Sequence, residues 1–121
     1  MSNSPYYYEK CEITVSQIPT TMTFFARFES DILAKKKTIT IRDESERDYQ
    51  VGSIVDVSTL EEGRWFCKLH IDAVTPVQFS ALTEFHAEQE NMTLPELKSV
   101  INEIYPNVDA LYVVTYHVVE E

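Results

Sequence analysis

Hydrophobic and polar residues alternate with two different periods along the chain, and each change of period marks a predicted element. A period of two over residues 11–16 predicts a short strand, and the polar, tyrosine-rich residues 1–10 before it predict a loose arm. Between Thr21 and Ala34 the period becomes helical, which predicts an amphipathic helix packed on a sheet. The apolar stripe of this helix comprises Phe24, Phe25, Phe28 and Ile32.

Strand-like alternation returns after the helix. Residues 38–42 place Ile39 and Ile41 on a core face, so Thr38, Thr40 and Arg42 share the other face of the predicted strand. A polar loop is predicted for residues 43–48. Residues 53–59 and 65–73, joined by a turn at Glu61-Glu62-Gly63, predict a long hairpin.

The C-terminal part predicts two helical pieces and a last strand. Residues 80–89 place four side chains on one helical face: Leu82, Phe85, His86 and Gln89. A capping box over residues 93–96, with proline in the first turn, begins a second helix that ends before Pro106. Residues 111–119 are apolar on both faces, which predicts a strand covered on both sides. This order of elements predicts a small α+β domain, with a curled or closed sheet and helices packed around it.

Composition and charge narrow the functional classes. The 121 residues carry a formal net charge of -10, which repels a phosphate backbone and disfavours tight nucleic-acid binding. The chain begins without a signal-peptide pattern and contains no apolar run of about 20 residues, so we expect no membrane association. Cys11 and Cys67 lie far apart and lack C-x-x-C spacing, which favours buried thiols in a cytoplasmic protein.

Few common sites for chemistry are compatible with this sequence. Two glycines cannot build a phosphate-cradling loop, and the histidines and cysteines show no zinc-binding spacing. His86 and Glu90 lie four residues apart, but a surface or satisfied pair is the favoured interpretation, so we predict no metal. A more distinctive feature is the segment from Lys35 to Arg42, which holds four of the ten basic residues. A solvated helix end explains Lys35 and Lys36, yet the polar strand face beyond them is a candidate wall for a small polar substrate.

Three segments carry a resemblance to a known family. Residues 23–28 (TFFARF), 31–45 (DILAKKKTITIRDES) and 86–93 (HAEQENMT) resemble the small bacterial ASCH-domain proteins of the YqfB type. The resemblance covers roughly residues 21–119 and leaves residues 1–20 as an N-terminal extension, partly flexible. It implies a PUA-like small β-barrel with flanking α-helices. It also implies an amidohydrolase that converts N(4)-acetylcytidine, a small-molecule nucleoside, to cytidine and acetate without a metal or organic cofactor.

The resemblance also implies roles for individual residues. Carried over by position, the general base is Lys37, the nucleophile Thr40 and the general acid Glu90. Arg42 is a candidate for holding the acyl oxygen or a ribose hydroxyl, although a salt bridge to Asp43 or Glu44 is the more ordinary role for an arginine there.

The proposed roles require both Lys37 and Glu90 to be uncharged. Acting as a base requires the pKa of Lys37 to fall from about 10.4 to near neutrality, through burial and neighbouring cations such as Lys36 or Arg42. Glu90 must be protonated to act as an acid, which a partly apolar pocket favours. Direct contact between Lys37 and Glu90 opposes both conditions, because an ion pair stabilises both charged forms. A coupled pair that shares one proton resolves this conflict.

Two further hypotheses remain open. The first is a PUA-like RNA-binding module without catalysis, because such barrels often bind RNA and Lys35-Lys36-Lys37 forms a basic spot. Its RNA affinity would fall steeply as salt rises. The second is an interaction protein with no chemistry, for which the pairing of Lys37 and Thr40 is a coincidence.

Overall fold

The computed structural model describes residues 18–120, so the arm and the short strand predicted within residues 1–16 lie outside the described part. The division into an extension at residues 1–20 and a domain at residues 21–119 stays a prediction. The strands are β1 (Thr21–Phe24), β2 (Ile39–Asp43), β3 (Ile54–Thr59), β4 (Trp65–Gln78) and β5 (Ala110–Val118). The α-helices are α1 (Glu29–Leu33), α2 (Glu84–Gln89) and α3 (Leu94–Ile104), with 3₁₀ turns at Ala26–Phe28, Glu44–Glu46 and Phe79–Ala81.

The five strands form one mixed sheet in the order β1-β3-β4-β5-β2. The β1–β3 pair is parallel and the other three pairs are antiparallel. The α+β class with flanking helices is confirmed, but the sheet is not closed into a barrel, because its edge strands β1 and β2 share no ladder. A side chain links these edges instead: Nη2 of Arg42 on β2 donates to the carbonyl of Thr23 on β1 at 2.8 Å.

Two apolar clusters cover the two faces of the sheet. The first contains Met22, Phe24, Ile32, Tyr49, Val55, Val57, Cys67, Leu69, Ile71, Val114 and Tyr116. The second contains Ile39, Ile41, Leu82, Ala87, Leu97, Ile101, Leu111 and Val113. Strand β5 contributes to both clusters, which confirms the prediction that it is covered on both sides.

The helix predicted from Thr21 to Ala34 is wrong over its first part. Residues 21–24 form β1, in which Met22 and Phe24 are buried and alternate with exposed threonines. Strand β1 pairs in parallel with residues 56–59 of β3, so backbone pairing with a distant segment overrides the local helical spacing. Helix α1 is confined to Glu29–Leu33, after a 3₁₀ turn.

The first of the two C-terminal helical pieces is shorter than predicted. A 3₁₀ turn occupies part of residues 80–89, and α2 begins only after its N-cap at Thr83. Its buried residue is Ala87, whereas Phe85, predicted to share one helical face with Leu82, His86 and Gln89, is 65% exposed.

Local signals predict the remaining elements well. Both halves of the capping box form at the start of α3, where Thr93 accepts from the Glu96 amide and the Glu96 carboxylate accepts from the Thr93 amide. The β3–β4 hairpin is confirmed, and β4 continues past a bulge between Ile71 and Ala73 to Gln78. No helix in this part of the chain has the length and apolar content required to cross a bilayer.

Candidate active site

The loop between α1 and β2 brings the basic segment against the end of α2. Lys37 lies in this loop, and the amide of Thr38 donates to the carbonyl of Gln89 at 2.8 Å. Helix α2 ends at Gln89 with Glu90 as its C-cap, because Asn91 adopts a left-handed conformation (φ 59°) that asparagine tolerates better than most residues. Backbone bonding between the two segments therefore sets Lys37 and Glu90 side by side.

Lys37 and Glu90 form a buried ion pair. Their side chains are 3% and 5% exposed, and Nζ of Lys37 donates both to Oε1 of Glu90 and to the carbonyl of Ile39, the latter at 3.0 Å. Burial lowers the pKa of Lys37 below its ordinary value. The negative charge of Glu90 opposes this shift, while the positive charge of Arg42 adds to it. Of the two neighbouring cations predicted to assist, Arg42 lies close enough to lower the pKa of Lys37, whereas Lys36 is exposed.

Thr40 and Arg42 project from β2 into the same pocket. They are 5% and 8% exposed, and Nε of Arg42 donates to Oγ1 of Thr40 at 2.8 Å. The other two guanidinium nitrogens donate to Oε1 of Glu46 and to the Thr23 carbonyl, each at 2.8 Å. The predicted polar face of β2 is therefore buried rather than solvated. The acidic partner of Arg42 is Glu46, instead of the neighbouring acids at positions 43 and 44.

Side chains that the sequence did not single out complete the pocket. The hydroxyl of Tyr105, the C-cap of α3, donates to Oε2 of Glu46 at 3.0 Å, so Glu46 joins the end of this helix to the guanidinium of Arg42. The ring of Phe24 lies 4.7 Å from Cζ of Arg42 and 5.7 Å from Nζ of Lys37. Glu46 follows Arg42 by four residues, but a strand end and a 3₁₀ turn join them instead of a helix, so the helical i,i+4 rule does not identify Glu46. No local signal identifies Tyr105.

The cavity bounded by these groups has a volume of about 240 Å³. Its polar wall contains Lys37, Thr40, Arg42, Glu46 and Glu90. Its other lining residues include Phe24, Phe25, Phe28, Met92, Leu97, Ile101, Ile104 and Tyr105. An apolar cavity with a few convergent polar groups is the usual form of a small-molecule site.

The structure places the other residues singled out in the sequence, namely the His86/Glu90 pair, the basic run and the cysteines, in different surroundings. His86 uses Nδ1 to accept from the amide of Thr83 at 3.1 Å, while Glu90 pairs with Lys37, so each member of the His86/Glu90 pair has another partner. The basic run is also divided, because Lys35 pairs with Glu120 at the surface and Lys37 is buried. Cys67 is buried, as predicted, whereas Cys11 lies outside the described residues.

Comparison with known proteins identifies the family. The family model described as the ASCH domain matches residues 20–93. The N(4)-acetylcytidine amidohydrolase of Vibrio vulnificus (strain CMCP6) is 71% identical over 98 residues, which cover 81% of this chain and 94% of that protein. A protein of the same name from Vibrio atlanticus is 67% identical over 101 residues, covering 84% of this chain and 97% of that protein.

Solved structures extend the likeness to the fold. The crystal structure of an ASCH domain from Lactobacillus crispatus has a TM-score of 0.68 to this chain at 18% identity, and the match covers 87% of this chain and 84% of that one. At this identity the match concerns the fold alone. With the family model and the curated relatives, it confirms the resemblance seen in the sequence: the chain belongs to the ASCH domain family, alongside relatives named N(4)-acetylcytidine amidohydrolase.

Proposed function

We propose that this protein is an amidohydrolase that hydrolyses N(4)-acetylcytidine to cytidine and acetate. The relatives at 71% and 67% identity carry that name. The observation that carries the proposal is the pocket itself, in which the Thr40 hydroxyl and the buried Lys37–Glu90 pair line one cavity. This arrangement supplies a nucleophile, a base and an acid, which are the three groups that cleavage of an amide requires.

The volume of the pocket, the net charge of the chain and the free N–H groups of Arg42 suit this substrate. Small-molecule pockets commonly measure about 300–1,000 Å³. A cavity of about 240 Å³ lies just below this range, so we place the acetylated base, and not the whole nucleoside, inside it. The nucleoside is neutral, so the net charge of -10 does not repel it. The guanidinium of Arg42 has five N–H groups, three of which donate within the protein, so two remain for the acyl oxygen or a ribose hydroxyl.

In the acylation step, the pair acts in its neutral form, with an amine on Lys37 and the shared proton on Glu90. The Thr40 hydroxyl gives its proton to Nζ of Lys37 while Oγ1 forms a bond to the acetyl carbon. The bond from that carbon to N4 then breaks, and N4 takes the proton of Glu90. Cytidine leaves, the acetyl group is esterified to Thr40, and the pair is now ionic.

In the deacylation step, water attacks the acetyl ester. The Glu90 carboxylate takes a proton from the water, whose oxygen bonds to the acetyl carbon. The ester bond to Thr40 breaks, and Oγ1 takes a proton from the Lys37 ammonium. Acetic acid departs and loses its proton to solvent, which leaves the hydroxyl, the amine and the protonated Glu90 ready for another turnover.

A pair of threonine variants tests the nucleophile. Thr40→Val should lower kcat at least about 10³-fold, the scale of losing a catalytic group that acts with others, while Thr40→Ser should retain activity. Thr38→Val is the matched control, because Thr38 lies two residues away on the same segment but does not line the cavity. Chromatography would follow cytidine release, and mass spectrometry of acid-quenched enzyme should detect one acetyl group on the β2 peptide.

Two outcomes of this experiment would contradict the proposal at different levels. Full activity in Thr40→Val would exclude the nucleophile but leave the amidohydrolase intact. No cytidine from the unmodified protein would exclude the activity itself and favour the RNA-binding alternative, which a salt titration of RNA affinity would then examine.

A further inference from the structure

Two histidines and an aspartate lie together on the β4–β5 ladder, outside the cavity that holds Lys37 and Glu90. His70 and His117 occupy directly opposite positions, and their rings stack with centroids 4.8 Å apart. Nδ1 of His70 lies 2.8 Å from Oδ1 of Asp72, and Nδ1 of His117 lies 2.9 Å from Oδ2 of the same carboxylate. One donor atom from each residue falls within 4.8 Å of the others.

We propose that His70, Asp72 and His117 form a binding site for a borderline divalent transition-metal ion, of the class of Zn²⁺ and Ni²⁺. Two imidazoles and one carboxylate match the ligand preferences of these ions, whereas Ca²⁺ and Mg²⁺ prefer sets of oxygen ligands. The ion replaces the protons that the two Nδ1–H groups donate to the carboxylate. Each ring gives up its Nδ1 proton to solvent and carries one proton on Nε2, taken from solvent where it is not already there, so that the Nδ1 lone pair binds the metal.

The spacing of the three residues suits one ion. Ligand atoms about 2.0–2.1 Å from a common ion lie about 2.9 Å apart at the 90° angles of a square-planar site, which Ni²⁺ adopts, and about 3.3–3.4 Å apart in the tetrahedral site usual for Zn²⁺. The two observed N···O separations, 2.8 and 2.9 Å, are close to the first value, and they run to the two different oxygens of Asp72, so an ion held by both Nδ1 atoms meets both oxygens of this carboxylate. The ladder sets His70 directly opposite His117, and Asp72 is the extra residue of the bulge between Ile71 and Ala73, so all three residues lie on strands of the sheet before an ion binds.

The surroundings leave room to complete the coordination shell. The side chains of His70, Asp72 and His117 are 34%, 35% and 61% exposed, so water can reach the remaining positions of a bound ion. A cavity of about 590 Å³ borders both histidines and is lined as well by Tyr116 and Glu120. The acidic chain, at a net charge of -10, also favours the approach of a cation.

The test compares metal affinity across matched variants. Chelator-treated full-length protein is titrated with Zn²⁺ and with Ni²⁺ by calorimetry, and the unmodified chain should bind one ion at this site. His70→Ala, His117→Ala and Asp72→Asn should each weaken that binding at least about tenfold. His86→Ala is the control, since His86 caps α2 and is remote from the cluster in sequence and contacts, and its affinity should match the unmodified chain.

Further readouts separate metal binding from a structural hydrogen-bond cluster. Zn²⁺ should raise the Tm of the unmodified chain and of His86→Ala, but not that of Asp72→Asn, whose shape is conserved. No metal binding, or equal affinity in all four variants, would overturn the proposal. Hydrolysis of N(4)-acetylcytidine should persist in His117→Ala, so failure of the metal site and failure of the proposed activity are distinguishable.

Discussion

Replacing Lys37 and Glu90 by apolar residues, singly and together, tests whether each buried charge is stabilised by the other. The variants are Lys37→Met, Glu90→Leu and the double substitution. Removing one partner leaves the other buried without compensation, which typically costs about 3–5 kcal/mol. For Glu90→Leu the cost of neutralising Lys37 at pH 7 is at most about 4.6 kcal/mol, because an ordinary lysine pKa lies about 3.4 pH units higher.

The double variant should lose far less free energy of unfolding than the sum of the losses in the two single variants. Well-packed apolar replacements of a buried ion pair are often neutral or stabilising by about 1–4 kcal/mol. The loss expected from each single substitution is a large part of a total stability of about 5–15 kcal/mol. Urea denaturation of the unmodified chain, the two single variants and the double variant therefore measures the interaction free energy between the two side chains. Since Lys35 and Glu120 form an exposed ion pair, Lys35→Met and Glu120→Leu provide the control and should each lose less than about 1 kcal/mol.

The pH dependence of Glu90→Leu follows from the lysine left behind. Burial lowers the pKa of Lys37 in the folded chain, and removing Glu90 removes the attraction that opposes this shift. The unfolded chain then binds more protons, so stability should rise with pH from the lowered pKa up to about pH 10.4, by at most about 1.4 kcal/mol per pH unit. Single variants as stable as the exposed-pair controls, or a double variant showing the full sum of losses, would refute this account.

Three further predictions concern the groups around the pair. Arg42→Lys loses the planar fork that makes three hydrogen bonds, so urea denaturation should show a loss of about 1–3 kcal/mol and kinetics a higher KM. Tyr105→Phe removes the hydrogen bond to Glu46, so it should lower the free energy of unfolding by about 1 kcal/mol and also raise KM. Tyr49→Phe removes a hydrogen bond to the Thr21 carbonyl and should lose a similar free energy of unfolding, but its kinetics should stay unchanged. Burial raises the pKa of Cys67 to about 11, so peptide mass mapping at neutral pH should find this thiol alkylated in unfolded but not in native protein. These expectations would be contradicted if Cys67 were alkylated in native protein as fast as in unfolded protein, or if Arg42→Lys left the kinetics unchanged. Equal changes of KM in the two tyrosine variants would contradict them as well.

Elements with local signals could be predicted from the sequence, and elements that depend on distant partners could not. The capping box of α3 and the β3–β4 hairpin each involve residues close together in the chain. Residues 21–24 carry an ambiguous pattern, since Phe24 suits either a helical stripe or an alternating strand. Only the parallel pairing of β1 with β3, from a segment about 35 residues later, settles the choice.

The candidate site shows the same division. Lys37, Thr40 and Arg42 lie on one short segment, so the composition of that segment is enough to single it out. Glu90 comes from a helix end more than 50 residues later, and family resemblance rather than local pattern identified it. His70 and His117 show no metal-binding spacing because they are 47 residues apart, and the antiparallel register of β4 and β5 sets them opposite each other.

Exclusion of water determines whether the Lys37–Glu90 pair can act as both base and acid. In water the pKa values of lysine and glutamate differ by about 6, so moving the proton to the carboxylate costs about 8 kcal/mol. Burial penalises the two charged forms much more than the two neutral ones, which reduces this difference. The pair is already 3% and 5% exposed, and a substrate that fills the cavity removes more water from it. Binding of the neutral substrate should therefore favour the neutral form of the pair, which is the form that the proposed acylation step requires.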